Sequence, residues 1–269
     1  MVAPLDIAVV AGIHGDEPVG LYVHDWLRER QQDINANIRY VRGNPRAIIR
    51  GVRSTEADLN RRFPGNLESA IYEDIRATEI MQEIAGADYV VDFHSTTPKS
   101  PPYVICGPGD DSSKLAGASG LDKIVVYSSD GLGYSGTTLG EAASKLGIPN
   151  ITIEAGSHKR RRTIKTGIRA MENILKYFGA MEGTPTRGDP TYYIVDGPLH
   201  ETVPNMKIHR SVSEFELVSA NQEIARSNGE VLYAPGPFYP ALVDRDPERR
   251  DKGPEGAEGA ILMLMTVKP

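Results

Sequence analysis

The sequence predicts an α/β fold, with a mostly parallel or mixed central sheet flanked by helices and a small β-rich C-terminal domain. Three observations carry this expectation. Short β-branched apolar runs alternate with longer amphipathic stretches up to about residue 180, the pattern of strands joined by crossover helices. His14, Glu17, His94 and Glu154 fall at or just past the ends of such runs. From about residue 187 the helical periodicity fades and short β-rich runs replace it.

In chain order, residues 7–10 read as a buried strand, and Pro18 opens a helix to about Arg30 in which His24 is structural or exposed. Residues 37–41 read as a second strand, parallel to the first, followed by Gly43-Asn44-Pro45 and a helical turn over 47–49. Periodicity then fails from 50 to 67, a polar loop carrying Arg53, Asp58, Asn60, Arg61 and Arg62. Its arginines read either as a solvated face or as an anion clamp, because guanidinium groups bind carboxylates bidentately. Residues 69–84 form an amphipathic helix, and 87–94 a buried strand ending at His94. Asp92, two residues earlier on the same side, either orients His94 or bonds nearby backbone. Strands follow at 103–106 and 123–127, a helix at 138–145, and a strand from Asn150 that ends at Glu154-Ala155-Gly156.

A long helix over about 159–180 opens on the basic run at 158–162, either a solvated face or a positive rim attracting acidic substrates. Residues 183–190 serve as a linker between a catalytic domain (1–183) and a β-rich domain (187–269), with strands expected at 192–195, 206–212, 214–218, 231–233 and 260–266. Residues 244–259 read as an exposed loop, and nothing near His200 or His209 suggests a metal site.

A net charge of −6 gives no reason to expect nucleic acid or an anionic membrane as a partner. The single cysteine, Cys106, cannot form an internal disulfide and reads as a core residue. The first residues enter a strand directly, without a signal-like pattern, and no run reaches the length of a membrane span, so the expected location is cytoplasmic.

His14 and Glu17, three residues apart on a strand-to-helix turn, either converge on a metal or are a surface histidine and a helix-start acid. The strand-end coincidence of all four residues favours the metal. Two imidazoles and one carboxylate leave a fourth zinc position for water, whose pKa zinc lowers towards ~7. Glu154 is then the unligated base, and the arginines of the 53–61 loop are available to an oxyanion and a substrate carboxylate.

The motifs Gly12-Ile13-His14-Gly15-Asp16-Glu17, Asn44-Pro45-Arg46-Ala47, Asp58-Leu59-Asn60-Arg61, Asp92-Phe93-His94 and Ile153-Glu154-Ala155-Gly156 resemble, in order and spacing, the succinylglutamate desuccinylase and aspartoacylase family of the zinc carboxypeptidase clan. The resemblance covers residues 5 to about 180. It implies one zinc ion per chain held by His14, Glu17 and His94, with Glu154 as general base. Arg53 would polarise the scissile carbonyl, Asn60 and Arg61 would bind the substrate carboxylate, and the C-terminal part would restrict access to the site. The implied reaction is hydrolysis of a small N-acyl amino acid. The alternatives are a carboxypeptidase acting on short peptides and a metal-binding protein without catalysis. Two positions depart from the aspartoacylase pattern: Leu139 follows Thr137-Thr138 where those enzymes carry an arginine, and no clear match to their C-terminal substrate-binding tyrosine follows Tyr239-Pro240.

Overall fold

β1 (Leu5–Ala11) is the strand around which the sheet is built, with Ile7 to Ala11 wholly inaccessible. In the computed structural model, which describes residues 4–96, 100–158, 160–246 and 260–269, it pairs in parallel with β2 (Ala36–Arg42) on one side and β3 (Tyr89–Thr96) on the other. Burial on both faces explains why β1 reads as a continuous apolar run rather than an alternating one. β3 pairs in parallel with β6 (Asn150–Ser157), which pairs antiparallel with β4 (Tyr103–Cys106), and β5 (Lys123–Val126) lies beyond β4. The sheet is therefore mixed, with its parallel strands grouped where the candidate residues lie.

Helices cover both faces. On one, α1 (Val19–Glu29) packs against α6 (Arg161–Tyr177). Among the buried residues of α6, Thr163, Gly167, Ala170, Met171 and Ile174 recur at helical spacing on one side. On the other face Ala8 and Val10 pack with Ala77, Ile80 and Ile84 of α3 (Tyr72–Ile84) and with Leu139, Ala142 and Ala143 of α5 (Leu139–Lys145). A capping box between Thr138 and Glu141 starts α5. The short α2 (Pro45–Arg50) has Asn44 as its cap, accepting from the Ala47 amide at 2.9 Å, and Pro45 in its first turn.

The chain divides into two compact units, one running to Ile124 and resuming over Thr137–Pro190, the other comprising Val125–Gly136 and the residues from Thr191 onward. In the second, β7 (Thr191–His200), β12 (Ile261–Val267) and β11 (Tyr239–Ala241) pair antiparallel in the order β11-β12-β7. A three-stranded sheet is made of β8 (Lys207–Ile208), β9 (Glu223–Ser227) and β10 (Glu230–Tyr233). The strand expected at 214–218 is instead a turn. Phe215 adopts φ +64°, which an extended chain cannot contain, and only Val218 bridges to Phe238. α4 (Asp110–Ala118), β9 and β11 were not expected. α4 buries only Ser112, Leu115, Ala116 and Ala118, too small and polar a stripe to register as amphipathic. Of the expected loop at 244–259, residues 247–259 lie outside the described residues. Among the described residues no helix is long and apolar enough to cross a membrane.

His24 is a buried structural residue of α1, its Nε2–H donating to the Val9 carbonyl of β1 at 2.9 Å. Burial lowers its pKa from the usual 6.5 to about 4, against the opposing Val9 bond. A lowered folded-state value means that the native state favours the neutral ring while the unfolded chain protonates first. The contribution is complete above pH 6.5 and is lost as the pH falls towards 4, a change of about 3 kcal/mol. Denaturant unfolding of wild type and His24→Gln between pH 7.5 and 4 (both about) checks this: the variant is expected to show a flatter pH dependence, and an unchanged slope contradicts it.

Candidate active site

The chain leaves β1 through Gly12, whose φ of +75° suits glycine, and crosses the start of α2 so closely that a Cβ on Gly15 would lie 2.1 Å from the Ala47 carbonyl carbon. This path delivers His14 and Glu17 to the carboxyl edge of the sheet, beside His94 at the end of β3. The side chains of all three are buried, and their ligating atoms lie within 4.8 Å of one another. They form the one such His/Cys/Asp/Glu group among the described residues.

Each ring has one nitrogen committed outside the group. His14 Nε2 bonds Asp58 Oδ1 at 3.1 Å, and His94 Nε2 bonds Asp92 Oδ2 at 2.8 Å. Carboxylates only accept, so both Nε2 atoms carry protons, and in the neutral rings both Nδ1 lone pairs turn inward. There Nδ1 of His14 faces Glu17 Oε1 at 2.9 Å, and Nδ1 of His94 faces Glu17 Oε2 at 3.2 Å. Lone pairs opposed at such distances repel unless positive charge lies between or beside them. The electrostatics carry the same demand. Although burial alone would raise the Glu17 carboxyl, the two imidazoles hold it well below the usual carboxylate range. For His94, burial acts downward, but Asp92 and Glu17 raise the ring well above its ordinary value. Two oriented imidazoles and one carboxylate are a donor set that fits a divalent ion such as zinc. The Ser95 amide donates to Glu17 Oε2 at 2.8 Å and fixes the carboxylate's tilt.

Of the loop arginines, Arg53 joins the group. It donates to Asp58 Oδ2 through Nε at 3.2 Å and Nη2 at 2.8 Å, and its Nη1 lies 3.1 Å from His14 Nδ1 and 3.6 Å from Glu17 Oε1. Asp58 is held well below the usual range, with burial opposing and His14 and Arg53 prevailing. Arg62 is paired instead with Asp74, Nε to Oδ1 at 2.5 Å, and is structural. Asn60 and Arg61 occupy the 3-10 turn Leu59–Arg61, which Asp58 caps by accepting the Asn60 amide at 3.0 Å. Asn60 Oδ1 in turn accepts the Leu139 amide at 3.0 Å. Glu154 lies on β6 directly across the parallel ladder from His94, buried on the same side. Arg160, Arg161 and Arg162 are exposed at the start of α6, while Lys159 lies outside the described residues. Cys106 is a core side chain whose thiol burial pushes up to about 12.

Asp92 therefore takes the ring-orienting alternative. Asp58 holds the other ring, a role no sequence signal carried, since it stands 44 residues from His14 in a loop without periodicity.

A mixed α/β sheet thus presents, at its carboxyl edge, a buried His-Glu-His group that could hold a metal ion. Residues 4–178 match the succinylglutamate desuccinylase/aspartoacylase catalytic domain, and the chain belongs to that family. A probable aspartoacylase of Prochlorococcus marinus is 34% identical over 98 residues, 34% of this chain and 33% of that protein. An N-acyl-aromatic-L-amino acid amidohydrolase of Xenopus laevis is 33% identical over 120 residues, 39% of each. The matched stretches thus span about a third to two fifths of these relatives. The crystal structure of a succinylglutamate desuccinylase/aspartoacylase from Rhodobacter sphaeroides superposes with a TM-score of 0.77 at 18% identity, over 99% of this chain and 86% of that one, and so has the same fold.

Proposed function

We propose that this chain is a zinc-dependent amidohydrolase that removes the acyl group from a small N-acyl amino acid. The observation that carries the reading is the buried His14-Glu17-His94 group with Glu154 across the β3–β6 ladder. The relatives' names, an aspartoacylase and an amidohydrolase for N-acyl-aromatic amino acids, support the same bond as the target.

When bound by His14, Glu17 and His94, zinc supplies a Lewis acid for the acyl carbonyl and lowers the pKa of water. Glu154 accepts the proton of the attacking water and passes it to the amide nitrogen as the C–N bond breaks, releasing a carboxylic acid and the free amino acid. Arg53, held on Asp58, faces the carbonyl oxygen as it gains negative charge. Asn60 and Arg61 take the substrate's α-carboxylate, which excludes substrates lacking that charge. Cys106 as the sole thiol fits a reducing, cytoplasmic setting.

Leu139 bears on the choice of amino acid. It is buried, with its amide given to Asn60, and offers no cation to a second carboxylate. The test is a screen of the zinc-loaded protein over N-acetyl and N-succinyl amino acids, their methyl esters and short peptides. Expected are turnover of N-acyl amino acids, a kcat/KM at least about 10-fold lower for the methyl esters, and N-acetylaspartate below substrates with neutral side chains. Release of C-terminal residues from peptides alone would make the chain a carboxypeptidase, and a strong preference for N-acetylaspartate would overturn the reading of Leu139.

A further inference from the structure

Glu73, in the first turn of α3, is completely buried, and its carboxylate is held by Asn44 and residues 55–57. It gathers donors from two segments. Oε1 accepts Asn44 Nδ2 at 3.0 Å, the Thr55 amide at 2.8 Å and the Thr55 hydroxyl at 2.6 Å. The Glu56 amide lies 3.2 and 3.3 Å from the two oxygens, and the Ala57 amide reaches Oε2 at 3.2 Å. Three successive amides converging on one anion form a nest of the kind that binds phosphate or carboxylate ligands, and here the chain supplies the anion itself. The start of α3 is also the end of a helix that favours negative charge. Burial acts to raise the carboxyl's pKa, and the bonds from Thr55, Asn44 and Glu56 carry it below the usual range instead.

The segment wrapped around Glu73 is the span between Arg53 and Asp58. Its start is tied to the turn bearing His14, because the Gly15 amide donates to the Arg53 carbonyl at 3.1 Å. Its end is tied to His14 itself through Asp58. Across the span the side chains of Arg53 and Asp58 are ion-paired at 2.8 Å. Without an anion at its centre, three amides converging in a half-buried loop would face one another's positive ends, which favours opening of the loop.

We propose that Glu73 is a positioning residue whose buried carboxylate sets the conformation of residues 55–57, and thereby the placement of Arg53 and Asp58 against His14 and Glu17. The consequence for turnover rests on the deacylase reading, whereas the consequence for the loop does not. Besides its bond to Asp58, Asn60 has a second anchor on the Leu139 amide, whereas within the loop Arg53 is held by its ion pair with Asp58, so loss of Glu73 acts on the chemical step more than on substrate binding. A misplacement of about 1 Å costs about 10²-fold in rate.

The test compares zinc-loaded wild type with Glu73→Ala and Glu73→Gln by amide hydrogen exchange and by kinetics, with and without formate. In Glu73→Ala the amides of Thr55, Glu56 and Ala57 are expected to lose protection while those of β1 and β3 keep theirs. kcat is expected to fall by about 10²-fold with KM changed less than about threefold, and formate, a carboxylate that fits the vacated nest, restores both protection and kcat saturably. Glu73→Gln keeps the side-chain volume and serves if the alanine variant does not fold. Its amide opposes the Glu56 and Ala57 N–H groups, so those two amides are expected to lose protection. Wild-type protection at residues 55–57 in a folded variant, or a loss that formate leaves unchanged in Glu73→Ala, overturns the positioning role. If wild type hydrolyses no N-acyl amino acid but the loop responds as described, the positioning role stands and the deacylase reading falls.

Discussion

Glu154→Gln is expected to retain its fold and its zinc and to lose about 10²- to 10⁴-fold in kcat, the usual contribution of a general base. Glu154 pairs with His94 across the parallel β3–β6 ladder, and paired residues project to the same side of the sheet, so the carboxyl group faces the side on which the proposed ligand His94 lies. Glutamine occupies nearly the same volume and keeps one carbonyl acceptor, which limits structural damage at a buried position. It cannot take a proton from water, nor return one to a departing amine, and both steps of the proposed hydrolysis need that exchange. KM is expected to change little, since the proposed α-carboxylate clamp at Asn60 and Arg61 lies on a different segment. Steady-state kinetics on a variant of verified zinc content check the effect, and near-wild-type turnover would remove Glu154 from the mechanism.

Much of the sheet, and the meeting of its strand-end residues, was legible in the chain. β1, β3 and β6 are buried on both faces and therefore announce themselves as continuous apolar runs. A polar residue closing such a run can only project from the sheet's edge, so His14, His94 and Glu154 pointed to one place before any contact was known. What stayed hidden depends on contacts distant in sequence. Asp58 gave no sign that it would bind a ring 44 positions away. Glu73 carried no signal of its own, because the three amides it gathers come from a loop with no periodic pattern. The second unit was harder for a different reason. Some of its strands are very short, as with Lys207–Ile208 and Tyr239–Ala241, so alternation has no length over which to show. The positive φ of Phe215, which breaks residues 214–218 out of extended structure, is set by packing rather than by the residue's own preference. Val125–Gly136 groups with the residues from Thr191 onward, a long-range association that no local signal encodes.

The proposed hydrolysis requires His14, Glu17 and His94 to hold one zinc ion. Removing a hydrogen-bonding partner of a metal ligand already costs about 10- to 100-fold in metal affinity, and removing a ligand costs more. The decisive measurement is the zinc content per chain of wild type, His14→Ala and His94→Ala after dialysis against a chelator that wild type withstands, with thermal unfolding recorded on the same samples. Wild type is expected to hold one zinc ion per chain and to melt higher with it than without it, because an ion bound only by the native state stabilises that state. Both variants are expected to lose the ion and the zinc-dependent gain in stability while remaining folded. A folded His14→Ala or His94→Ala that still carries one zinc ion per chain would contradict the account.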